Sequence, residues 1–283
     1  MRAEQLTAPD SHHGEGPVWD DEHGRLLWVD MLRGDILRCT PGDAAAERHH
    51  VGDVAGCFRL RQGGGAVVAT ERGFALTDAS FTVVKVLPDV WADAGVRMND
   101  GACDAQGRFY AGSMAYDETP GAGRLFRLDL DLSVREVRGD LTIANGLGWT
   151  ADGATAFHVD TPTRRVDRMD FDAAAGTFGP GQPFVEIADG AGFPDGLAVD
   201  AGDGVWVALW DGGAVHRYTS EGRLDAVVDL PVVRPTSCAF GGPELADLFI
   251  TTSAVDQPDD RAAGAIFHVR PGMTGRPSSR FAA

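Results

Sequence analysis

Glu15, Asn145 and Asp195 lie far apart in this 283-residue chain, yet each opens a copy of one recurring pattern. Two carboxylates and an amide carbonyl form an all-oxygen donor set. Hard divalent cations such as calcium, magnesium and manganese accept such sets, with waters completing the shell. No histidine stands in an equivalent place, which weakens the case for a site preferring zinc. Confined without a cation, the two carboxylates would repel, and one would hold its proton more tightly. The other arrangement open to these residues is a hydrogen-bonded polar plug.

What brings them together is the repeat. The openings read EGPVWD from Glu15, AGCFRL from Ala55, NDGACD from Asn99, NGLGWT from Asn145, DGLAVD from Asp195 and TSCAFG from Thr236. Each is followed by a Gly/Asp-rich turn, an apolar strand such as LLWVD or GVWVALW, another turn, and a closing strand that often carries Arg. A period of about 40–50 residues with several short strands per copy marks propeller blades. The fold expected is all-β: a six-bladed β-propeller of four-stranded antiparallel blades, spanning 1–283 as one domain. Blades surround a channel, so equivalent openings become neighbours at one of its mouths. Asn-Gly and Asp-Gly are also strong hairpin signals, and singly each opening could be a turn. Glu15 forms turns poorly, however, and the hairpin turn follows several residues later in every copy. The opening residue is therefore expected just before the innermost strand. Two longer excursions, Val90 to Arg97 and Tyr116 to Gly123, are expected to shape a binding site. The residues before Glu15 are expected to add a strand to the last blade.

Composition narrows the partners. A net charge of -17 argues against nucleic acid and anionic membranes, both of which reward clustered Lys and Arg. No apolar run approaches the roughly 20 residues that cross a bilayer, and no secretory signal is visible. Cys39, Cys57, Cys103 and Cys238 form no CxxC pair and read as buried free thiols, which fits the cytoplasm. His12, His13, His49 and His50 read as exposed loop or strand-end residues, and His158 and His216 as strand residues that are packed or solvated and not catalytic. There is no Gly-x-Ser-x-Gly elbow, no recognisable Cys/His pairing and no phosphate-binding glycine fingerprint.

Five segments together resemble the gluconolactonase/regucalcin (senescence marker protein) family of six-bladed propellers. They are GEGPVWD from Gly14, RMNDGACDAQGRFYAGSM from Arg97, NGLGWTADG from Asn145, PDGLAVDAGDGVWVALWDGGAVHRY from Pro194 and TSCAFGG from Thr236. The resemblance implies one divalent metal bound by Glu15, Asn145 and Asp195, with calcium first and magnesium, manganese, iron or zinc as alternatives. It implies substrate contacts at Arg97 and Asn99, and an acid/base role for Asp195. Relatives often carry a Glu two residues after a Met-Ala pair; here that place, after Met114-Ala115, holds Asp117. The implied activity is opening of a small sugar lactone to the aldonic acid, by a monomer or small homo-oligomer. The alternatives are a calcium-binding regulatory propeller without turnover and a propeller hydrolase acting on other esters.

Overall fold

The computed structural model describes residues 1–43 and 45–283. Their strands form six antiparallel sheets, one per sequence repeat. Blade 1 runs outward from Gly14–Asp20 through Arg25–Asp30 and Asp35–Cys39 to Glu47–His50. The innermost strands of blades 2 to 6 are Ala55–Leu60, Val96–Cys103, Ala144–Trp149, Phe193–Val199 and Pro235–Gly241. Blade 4 departs from the four-stranded plan: a short strand, Thr177–Phe178, precedes its outer strand Gln182–Glu186.

The continuous apolar runs of the second strands follow from stacking the sheets face to face. Alternate side chains of a strand point to opposite faces. Leu27 and Val29 accordingly pack toward blade 2, while Leu26 and Trp28 pack toward blade 6. With both faces covered, neither alternate set can be polar. Six apolar clusters fill the six interfaces between adjacent blades. Outer strands such as Glu47–His50 and Val83–Val86 face water; the first is polar, whereas the second leaves Val84 and Val86 exposed.

Two segments join the blades into a ring. Glu4–Gln5 pairs antiparallel with Phe267–Val269 and supplies the outer strand of blade 6, as expected from the sequence. Residues 272–283 cross the base of the channel as a strap that bonds to every blade. Gly275 N–H donates to Leu245 O of blade 6 (2.7 Å), and Thr274 O accepts from Ala201 N of blade 5 (2.8 Å). Arg276 reaches Trp149 O of blade 4, and Arg280 reaches Asp21 of blade 1. Phe281 N–H donates to Leu60 O of blade 2, and Ala282 N–H to Gly107 O of blade 3. The Phe281 ring is fully buried between blades 2 and 3.

Candidate active site at the channel mouth

At the end opposite the strap, the inner strands surround a cavity of about 410 Å³. The opening residues do not precede those strands, as the sequence reading expected; they lie within them, on β-bulges. Pairing with the second strand slips between Glu15 and Val18, Met98 and Gly101, Ala144 and Leu147, and Pro194 and Leu197. A bulge re-aims one side chain without ending the ladder. Repeated around the ring, it turns Glu15, Asn99, Asn145 and Asp195 into the cavity, where all four are buried.

Gly146 and Gly196, which follow Asn145 and Asp195, have an interblade role and are not hairpin glycines. A Cβ on Gly146 would sit 2.7 Å from Asp195 O and 2.8 Å from Leu197 Cγ, and one on Gly196 would lie 2.2 Å from Ser237 Oγ. Only a residue without Cβ lets adjacent inner strands approach this closely near the axis.

A chain of hydrogen bonds orients the polar floor. Arg97 Nη1 donates to Asn99 Oδ1 at 2.7 Å and to Met98 O at 3.0 Å. Asn99 Nδ2 donates to Ala144 O (3.0 Å) and to Asn145 Oδ1 (3.2 Å). Asn145 Nδ2 donates to Thr161 Oγ1 (2.9 Å), which donates to Pro194 O (2.8 Å). Tyr116 lies over the Arg97 guanidinium, 5.8 Å from its ring centroid.

The acids carry the electrostatic strain. Burial, and then repulsion from Asp195 and Asp100, push the Glu15 carboxyl well above its usual range. Burial and the Asp100 charge do the same to Asp195, and contacts from Asn145, Arg97 and Gly196 offset only part of this. Asp100, beside them but outside the cavity lining, is raised by burial as well. Among the described residues none of the three makes an ion pair. Arg97 is the cation facing Glu15 and Asp195, and its own burial lowers its pKa; Arg59 is the one facing Asp100. Buried oxygens crowded in this way could hold a divalent cation, and Glu15, Asn145 and Asp195 offer such oxygens to the cavity.

Asp117, expected to touch substrate, is not at the cavity. It is exposed, and Oδ1 accepts from Thr119 N–H and Oγ1 at 3.1 and 2.7 Å. The tight turn caps itself with that carboxylate. Glu118, with a left-handed φ of 57°, lines the cavity instead. The excursion before Arg97 also does little for the site, because Trp91 packs against Phe126 with centroids 5.2 Å apart. His13, read as an exposed residue, lines the cavity, and burial with nearby Arg97 lowers its pKa to about 3. Stepping two residues back from each opening would have found it, since Arg97 stands in that relation to Asn99.

A second acidic group, Asp20, Glu22 and His23, lies at the base of blade 1. Arg280 reaches Asp20 and Glu22 there, and Arg25 and His23 also contact Asp20, so these charges already have protein partners. It anchors the strap.

A six-bladed propeller with polar, carboxylate-bearing side chains converging on one channel mouth is the class of protein this fold and site define. Residues 13–254 match the family described as the SMP-30/gluconolactonase/LRE-like region, and the chain belongs to that family. It is 34% identical over 278 residues to a pentonolactonase of Haloferax volcanii, covering 94% of each chain. It is 34% identical over 254 residues to regucalcin of Xenopus laevis, covering 87% of this chain and 85% of that one. Among solved structures it is similar to regucalcin of Agrobacterium tumefaciens, titled a calcium-binding protein. That likeness has a TM-score of 0.91 and 25% identity, covering 99% of this chain and 97% of the other.

Proposed function

We propose that the chain hydrolyses a sugar lactone to the aldonic acid, with one divalent cation, calcium first, held by Glu15, Asn145 and Asp195. The observation that carries this reading is the set of buried acids without ion-pair partners, sharing a cavity with Arg97 and Asn99. The pentonolactonase relative supports the substrate class.

A sugar lactone is a neutral cyclic ester, so hydrolysis needs a polarised carbonyl, a water stripped of a proton and a protonated leaving oxygen. A bound divalent ion supplies Lewis-acid polarisation of the carbonyl, worth several kcal/mol to the tetrahedral transition state. Asp195 takes the proton from the attacking water and returns it to the ring oxygen as the C–O bond breaks. A carboxylate placed against both oxygens can accept the proton in the first step and donate it in the second. Asn99 holds a sugar hydroxyl, and Arg97 presents its remaining N–H donors to a second one. Met114, Ile143 and Phe193 add apolar surface to the walls around this floor.

Calcium binding without turnover is the second reading, favoured by the names of the regucalcin relatives. One experiment separates the two: acid release from a panel of aldonolactones, with and without chelator. Turnover that disappears with chelator and returns with calcium is the expected result. Asp195→Asn should lower kcat by about 10²–10⁴-fold in a folded protein. Calcium-dependent stabilisation with no acid released from any lactone would leave binding alone. Among the described residues no helix is long and apolar enough to cross a membrane, and the four cysteines are free and buried. Buried free thiols fit a reducing cytoplasm.

A further inference from the structure

The inner strands carry a second tier of side chains above the acidic floor, because residues two apart on a strand point the same way. Two positions before Glu15, Asn99, Asn145 and Asp195 stand His13, Arg97, Ile143 and Phe193, and all four line the cavity. His13 is therefore the blade 1 counterpart of Arg97, and Ile143 of blade 4 lies across the ring from it.

His13 is held from several sides. Its Nδ1 lies 2.8 Å from Ser253 Oγ, and its ring meets Trp210 edge-on with centroids 5.8 Å apart. The His12 and His13 N–H groups both donate to Asp30 Oδ1, at 3.1 and 3.0 Å. Asp30 is fully buried and pairs with Arg48 at 3.0 Å. Met31 N–H donates to His13 O at 2.9 Å, and a backbone bridge ties His13 to Ser253 of blade 6. Nε2 has no protein hydrogen bond among the described residues. Whichever tautomer Ser253 selects, Nε2 can exchange one hydrogen bond with a hydroxyl in the cavity. Ile143 and Phe193 offer apolar surface to the C–H face of a sugar.

We propose that His13 is a substrate-contacting specificity residue: its Nε2 bonds a ring hydroxyl of the lactone, while Ile143 and Phe193 receive the opposite, C–H face. This rests on the lactonase reading and adds to it a requirement for a hydroxylated ring. Arg97 and His13, on blades 3 and 1, then fix two hydroxyls and so the rotation of the ring over the floor.

The test compares a hydroxylated aldonolactone with δ-valerolactone, which has the ester ring and no hydroxyl. In His13→Leu the ratio of kcat/KM, hydroxylated over unsubstituted, should fall roughly tenfold, with the change in KM. His13→Gln, whose amide reaches the place of Nε2, should recover part of the ratio. A merely structural role would lower both activities together and leave the ratio unchanged, which would overturn the proposal, as would a Gln variant no better than Leu. Wild-type protein that opens no lactone would overturn the lactonase reading and this inference together. Wild-type turnover with an unaltered ratio in His13→Leu would sink this inference alone.

Discussion

Buried carboxylates that outnumber their countercharge destabilise the protein that holds them, and Glu15, Asp100 and Asp195 crowd one channel mouth. The folded pKa of Glu15 is raised, so in the metal-free protein this group's own contribution to stability is full below the usual carboxylate range and is lost as pH rises. Glu15→Gln removes one repelling charge. It should raise the melting temperature of the chelator-treated protein and erase the stabilisation by calcium, about 2.7 kcal/mol at 100 times Kd. Thermal scans with and without calcium check both halves; an unchanged calcium response would remove Glu15 from the metal set. His158 has the opposite sign. Burial, then the Arg138 charge, lowers its pKa from 6.5 to about 3, and Nε2 is buried with no partner. The unfolded chain takes a proton that the folded one refuses, so stability is lost as pH falls from 6.5 toward 3, by at most about 1.4 kcal/mol per unit. His158→Leu should flatten that acid limb. Urea titrations at pH 6.5 and 4.5 with equal differences for both proteins would contradict it.

The bulge is the element that turns a repeat into a site. A regular inner strand would send alternate residues between the blades, whereas the slip at Asn145-Gly146 aims Asn145 at the axis and brings Gly146 against blade 5. Gly146→Ala should cost about 1–3 kcal/mol, because the new methyl would press on Asp195 O, Leu197 N and the branch point of the Leu197 side chain. It should also weaken calcium binding, measurable by titration calorimetry; a variant with native affinity would show that the floor tolerates the shift. This element also marks how far the sequence was legible. The ring of Glu15, Asn99, Asn145 and Asp195 could be read because a polar residue opens most of the copies. The bulge could not, since Asn-Gly and Asp-Gly look the same in a hairpin turn and in a close strand contact. Asp117 was misplaced because its turn lies outside the repeat, and counting from Met114-Ala115 says nothing of which residue takes a positive φ. His13 was passed over because its burial comes from Trp210 and Ser253, both distant in sequence.

At the scale of the whole molecule, the strap and the shared blade hold the ring closed. Phe281 fills the interface between blades 2 and 3 at the base, so Phe281→Ala should cost about 3–5 kcal/mol in denaturant unfolding. A loss below about 1 kcal/mol would mean that the strap lies on the base without supporting it. The pairing of Glu4–Gln5 with Phe267–Val269 has a further consequence, for synthesis. A ribosome makes Glu4 long before its partner His268. Until residue 269 has emerged, the nascent chain holds its early strand in reserve, with the flank of blade 1 uncovered. So distant a contact makes for slow maturation and leaves an adhesive flank for chaperones to shield in the meantime.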